Sequence, residues 1–129
     1  MGRLYALMDQ WCVLFDLEPI VIDLVGTFQQ SPGQFPHVVH NLDEALKRFS
    51  DHSWVFMDVN GDVILDELAH PPDPTVYALG SDKTCFGRPA KDLPGTTVRL
   101  RAEVGNIYVH NVLPLILYDR YLYFNGRRK

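Results

Sequence analysis

Two short runs in this chain are hydrophobic at every position, and they limit its fold more than anything else in it. Trp54, Val55, Phe56 and Met57 form one; Val76, Tyr77, Ala78 and Leu79 form the other. A strand with one wet face alternates apolar and polar residues, whereas an unbroken run needs cover on both faces, as in a parallel sheet. Helical and strand-like segments alternate around these runs. Leu4, Leu7, Met8, Trp11, Leu14 and Phe15 recur at three and four residues, predicting an amphipathic helix from about residue 3 to 16 that Pro19 ends. The β-branched run 20–25 follows, then a loop carrying Pro32, Gly33 and Pro36. Asn41 with Glu44 three residues on is a capping-box start for a short helix whose buried stripe is Leu42, Ala45, Leu46 and Phe49. Asn60-Gly61 is a tight-turn signal before a short run, Val63 to Leu65. "HPPDP", 70 to 74, is a rigid break before a strand from Thr75 to Leu79, and "TTVRLR", 96 to 101, alternates as a strand does. The expected class is α/β with a mainly parallel sheet, built as a single domain over residues 1–129.

The last segment, "NVLPLILYDRYLYF" (111 to 124), is apolar almost all the way round. With Asn111 as the cap, Pro114 falls in the first turn, where proline is tolerated. A helix apolar on all sides needs cover on all sides, and a 129-residue domain can cover one face of it but hardly both. The segment is therefore either a central buried helix or the interface of a homodimer.

Composition narrows the partners. With 47% hydrophobic and 22% charged residues the chain is that of an ordinary globular protein. A net charge of -4 supplies no global attraction to nucleic acid, so any such binding needs a local basic patch. Residues 80–129 hold nine Lys and Arg (83, 88, 91, 99, 101, 120, 127, 128, 129) against four acids (82, 92, 103, 119). That concentration is either an RNA-facing patch or a solvated surface. Cys12 and Cys85 fit neither a zinc spacing nor a disulfide framework, which points to reduced thiols in a cytoplasmic protein. The apolar positions of residues 1–25 are interrupted by Arg3, Asp9, Asp16, Glu18 and Asp23, so neither a signal peptide nor a membrane span is expected.

Most short motifs dissolve on inspection. His37 and His40 lack a third ligand at a convincing spacing, so no metal is expected. "DVNGD", 58 to 62, has its glycine two positions too early for a calcium loop and no glutamate at the twelfth position. Cys85 has no histidine near it in sequence to activate it, and no P-loop, GxGxxG or GxSxG occurs. What survives is "VYALGSDKTCFG", 76 to 87: a covered strand that stops at Gly80, crosses six small, charged and aromatic residues, and turns at Gly87. Such a loop sits at the carboxyl edge of a parallel sheet, where ligands of open α/β sheets bind. Gly80 permits close backbone approach there, and Gly87 a positive φ.

The order of the C-terminal half gives this loop a context. A strand into "LGSDKTCFG", then "TVRLR", then "GNIYVHN", then a helix with "LILYDR" resembles the SpoU branch of the SPOUT superfamily, the trefoil-knotted RNA methyltransferases. In that branch the motifs read roughly as a strand into GxExxG, a strand ending vrIP, and SLNxxxAxxixLY(D/E). "NLDEAL", "DVILDEL" and the proline-containing linker upstream are also similar, so the resemblance covers residues 38–124 and extends loosely to 1–37.

The resemblance implies a C-terminal trefoil knot with helices on both faces of the sheet, one of the known exceptions to the rule against knots. It implies S-adenosylmethionine held in the knot loops largely by backbone groups, RNA (tRNA or rRNA) as substrate, and a dimer made through the C-terminal helix. Position by position, Leu79, Gly80, Ser81 and Gly87 match the first cofactor loop. Val98 and Leu100 match the strand before the second, and Ile107 and Asn111 match positions lining the third. The sequence departs from the pattern where the family keeps its reactive side chains. Asp82 stands for the usual glutamate, Arg101 for the proline of vrIP, Asn106 for the serine and Tyr108 for the asparagine of SLN. The arginine-bearing N-terminal signature is absent; Gln10 occupies the arginine's approximate place, and Arg3 is the one arginine on the first helix. A ribose 2′-hydroxyl needs a base or an anion-stabilising group before it can accept a methyl group, and Arg3, Arg101, Asn106 and Tyr108 are the candidates. Three readings follow: a methyltransferase using substitutes, an inactive knotted dimer that binds RNA or protein, and an unknotted α/β dimer whose glycine loop is only structural.

Overall fold

The computed structural model describes residues 17–18, 20–22, 37–58, 60–79, 90–100 and 109–126. They group into two compact units, divided between Ser50 and Asp51. The expected helix 3–16 and loop 27–36 lie outside the described residues.

In the first unit, β1 (Ile20–Ile22) pairs in parallel with β2 (His37–Val39), Ile20 opposite His37 and Ile22 opposite Val39. Helix α1 (Leu42–Arg48) follows at once. The Asn41 side chain accepts the Glu44 N–H at 2.8 Å, as the capping signal predicts. The return bond goes one residue further back than the box pattern, from the His40 N–H to Glu44 Oε2 at 2.7 Å. Leu42 and Ala45 are buried with Val39, while Leu46 and Phe49 are half-buried. Acids in the first turn and Lys47 and Arg48 in the last suit the helix dipole.

The second unit holds a four-stranded sheet, β3 (Ser53–Met57), β4 (Val63–Ile64), β5 (Thr75–Ala78) and β6 (Thr96–Arg99), in the spatial order β4-β6-β3-β5. Every pairing is parallel. Residues 54–57 are all buried, so both faces of β3 are covered, and this is why its sequence does not alternate. β5 forms one edge of the sheet, and its residues are half-buried. Among the described strands of this unit no two consecutive in sequence are neighbours; β6, the last of them, lies between β3 and β4.

The Asn60-Gly61 turn does not return the chain antiparallel. It carries the backbone over β6 to start β4 in the same direction as β3. Asp58 donates its N–H to the Val98 carbonyl (2.9 Å), Asn60 donates its N–H to Asp58 Oδ1 (2.8 Å), and the Asp62 N–H reaches Thr97 Oγ1 (3.1 Å). A Cβ at Gly61 would lie 2.5 Å from the Val98 carbonyl carbon, so only glycine lets the crossing chain rest on β6. Gly95 is used in the same way, its Cβ position 2.5 Å from the Trp54 carbonyl oxygen.

Helix α2 (Val109–Phe124) starts two residues before the expected cap. Asn111 is thus inside the helix, and Pro114 is its sixth residue rather than part of a first turn after Asn111. Proline there leaves the His110 carbonyl without its helical donor. Leu113, Ile116 and Leu117, spaced three and four apart, form the buried stripe. Leu115, Tyr118, Tyr121 and Phe124 are each about half exposed, at 50%, 57%, 47% and 49%. The domain covers one side of this helix and leaves large apolar groups on the rest.

Candidate functional site

The carboxyl edge of the four-stranded sheet is the first candidate. β5 and β6 lie on either side of β3, with Phe56 opposite Ala78 and Met57 opposite Val98. Leu79, Val98 and Leu100 therefore come together at one edge, although 19 residues separate the first two in sequence. Val98 is fully buried, whereas Leu79 and Leu100 are half-buried where the strands end. Asp58 ends β3 at the same level, its carboxylate occupied by the Asn60 N–H. The edge thus presents the half-buried Leu79 and Leu100 side chains beside the fully buried Val98.

Of the other positions matched to cofactor binding, Asn111 is placed as a backbone position in the first turns of α2. Gly80, Ser81, Gly87 and Ile107 lie outside the described residues, as do the four catalytic candidates Arg3, Arg101, Asn106 and Tyr108. His37 donates its Nε2–H to Glu18 Oε2 at 2.8 Å within the first unit. Among the described residues no group of three or more His, Cys, Asp or Glu could hold a metal ion, and no helix is long and apolar enough to cross a membrane.

A second cluster was not anticipated. At the amino end of β5, the linker that opens with His70 is tied to α2 by a cluster of five polar side chains, His70, Asp73, Tyr77, Asp119 and Arg120. The Arg120 guanidinium donates through Nη1 to the Tyr77 hydroxyl at 2.7 Å and to the Pro71 carbonyl at 2.8 Å. Its Nη2 donates to Asp73 Oδ1 at 2.9 Å. Tyr77 Oη lies 2.8 Å from His70 Nδ1, and His70 Nε2 lies 2.6 Å from Asp119 Oδ2. A carboxylate can only accept, so Nε2 carries a proton; a neutral imidazole then leaves Nδ1 to accept from Tyr77. The bonds run in one direction, Arg120 to Tyr77 to His70 to Asp119.

Burial makes this order matter. The His70 side chain has 0% exposure and that of Asp119 14%. Burial pushes the Tyr77 hydroxyl above its ordinary pKa, and the Arg120 hydrogen bond only partly opposes it. Tyr77 therefore stays a phenol able to donate. Arg120 also lies over two rings, 4.6 Å from the Phe124 centroid and 5.5 Å from that of Tyr77. A hydroxyl, an imidazole and a carboxylate in line have the makings of a nucleophilic triad. With the imidazole sealed from solvent and the hydroxyl held by a guanidinium, the arrangement works instead as a clasp between β5 and α2. The sequence did carry a signal for it: Asp119 and Arg120 are the two acidic or basic residues in an otherwise apolar run, and such residues need partners when buried.

No family model matches the chain, and no curated protein matches its sequence.

Proposed function

We propose that this chain is an S-adenosylmethionine-binding RNA methyltransferase domain of the trefoil-knotted SPOUT type, close to the SpoU branch, with tRNA or rRNA as substrate. The observation that carries the reading is the convergence of Leu79, Val98 and Leu100 at one carboxyl edge of a parallel sheet. These are the three described side-chain positions among those that the motif resemblance matches to the cofactor loops. When bound, the cofactor supplies an electrophilic methyl group. The chain's own part is to hold the adenosine against Leu79 and Leu100 and to orient an RNA nucleophile, a ribose 2′-hydroxyl by the resemblance. Arg3, Arg101, Asn106 and Tyr108 are the groups available to take or stabilise its charge.

A homodimer through α2 belongs to the same reading. Its support is the half-exposed Leu115, Tyr118, Tyr121 and Phe124. Half of the ~200 Å² that a large side chain can bury makes roughly 400 Å² over four residues. That is about half of the ~800 Å² one partner contributes to a standard interface, and so a fitting apolar centre for one. The replaced family residues at Arg101, Asn106 and Tyr108 favour a second reading, a knotted dimer that binds RNA without methylating it.

Calorimetric titration with S-adenosylmethionine tests the first reading. Saturable binding that Gly80→Val abolishes is expected; no heat and no thermal shift at millimolar cofactor would refute it. Methyl transfer from labelled cofactor to total RNA then separates the enzyme from the binding module.

A further inference from the structure

We propose that Arg120 is a positioning residue for the candidate carboxyl edge: from α2 it braces β5, and so ties the placing of Leu79 beside Val98 and Leu100 to the seating of the C-terminal helix. The brace itself stands apart from the methyltransferase reading; the identity of the ligand at that edge rests on it.

β5 is the strand that most needs a brace. Among the described strands it has one ladder neighbour, β3, and its residues are half-buried, whereas residues 54–57 of β3 are buried. A ladder fixes register and spacing within the sheet, but an edge strand bonded on one side can still swing about that ladder, out of the sheet plane. Leu79 follows directly on β5, two residues past Tyr77 and so about 7 Å further along the strand. Any swing of β5 therefore reaches Leu79.

Arg120 holds the strand from the helix side. Its Nη1 donates to the Tyr77 hydroxyl at 2.7 Å and the Pro71 carbonyl at 2.8 Å, and its Nη2 to Asp73 Oδ1 at 2.9 Å. One planar fork thus grips three acceptors, one in β5 and two in the linker before it. The fork is steadied in turn. Its side chain is 17% exposed, and the Phe124 ring, one turn further along α2, has its centroid 4.6 Å from the guanidinium carbon. A guanidinium stacked on a ring keeps its N–H groups available to acceptors around its edge.

A ligand that needs Leu79 in place binds the braced state in preference to the swung one. Its binding is then linked to the seating of α2, and by reciprocity it stabilises that seating. Phe124 is also a half-exposed member of the apolar ridge, so a partner that covers the ridge meets the ring that steadies Arg120. The edge is in this way answerable to a helix surface that the ligand need not touch.

Amide hydrogen exchange of the full chain without ligand, in the wild type and Arg120→Met, tests the brace. Expected is exchange about tenfold faster at the β5 amides bonded to β3, while residues 97–99 of β6 keep their wild-type rates. Equal acceleration across β5 and β6 would mark Arg120 as a general stabiliser, and unchanged β5 rates would show no brace; either result overturns the proposal. Should Arg120→Met not fold, Phe124→Leu, at a half-exposed position, removes the ring beside the guanidinium. The same local acceleration is expected there, and its absence overturns the brace. Calorimetric titration with S-adenosylmethionine then joins brace to ligand. Where the wild type binds, Arg120→Met should raise Kd at least about fivefold, and an equal Kd severs Arg120 from the site. A wild type that does not bind refutes the methyltransferase reading alone, because exchange decides the brace without any ligand.

Discussion

Replacing Gly61 with alanine adds one methyl group at the point where the chain crosses β6. That Cβ would stand 2.5 Å from the Val98 carbonyl carbon, 2.7 Å from the Val98 nitrogen and 2.9 Å from the Arg99 nitrogen. Carbon atoms rest comfortably at about 3.5 to 4 Å, so the crossing segment must lift by roughly 1 Å. All three obstacles are backbone of a central strand and cannot rotate aside. Overpacking of this kind costs about 1–3 kcal/mol. Lifting the segment also weakens the Asp62 N–H bond to Thr97 and the pairing of Val63 and Ile64 with β6, at about 1 kcal/mol for each bond lost. Against this, alanine stiffens the unfolded chain by up to about 1 kcal/mol. The net expectation is a loss of about 3 kcal/mol, which at a urea dependence of about 1–3 kcal/mol per molar lowers the midpoint by roughly 1–3 M. Urea unfolding followed by far-ultraviolet circular dichroism measures it, with Asn60→Ala, at the exposed neighbour, as the control expected within about 0.5 kcal/mol of wild type. If Gly61→Ala were as stable as that control, the chain would not cross β6 at Val98 and the strand order would be wrong.

Further outcomes test other parts of the structure. Tyr77→Phe leaves His70 Nδ1 and one Arg120 N–H without their partner, and should cost about 1–3 kcal/mol in thermal or urea unfolding. Because burial raises the Tyr77 pKa, its contribution is present below about pH 10 and is lost as the pH rises beyond. The wild type should therefore lose more stability than Tyr77→Phe in that range, and equal losses would refute the buried phenol. Asn41→Ala should remove about 1 kcal/mol by uncapping α1, detectable as reduced amide protection at Glu44. Leu115→Glu with Tyr118→Glu should give a monomer in sedimentation at micromolar concentration with an unchanged dichroism spectrum; a wild type that is itself monomeric there would defeat the dimer.

Local features could be read in the sequence, and long-range ones could not. The unbroken run 54–57 announced a strand covered on both faces, and Asn41 with Glu44 announced the start of α1, because each depends on residues close in sequence. Asn60-Gly61 was legible as a turn, but its glycine answers to Val98, 37 positions on, and so the path over β6 was hidden. The apolar surround of 111–124 was recognised, yet the two charged residues inside it meant little without knowing that β5 and the His70 linker lie beside them. The candidate carboxyl edge was legible in part. The motif order singled out Leu79, Val98 and Leu100, and the parallel pairing of β5 and β6 with β3 brings them to one edge.

The position of β6 has a consequence for how the chain is made. Until residues 96–99 emerge, β3 can pair with β5, but β4 has no neighbour, because its place in the sheet is beside β6. Every later step waits for the last strand to enter between two segments laid down earlier. Contacts so distant along the chain are closed slowly. Stops before residue 96 should therefore leave not a smaller version of this fold but a strand pair with an unclaimed edge, a species for chaperones and proteases.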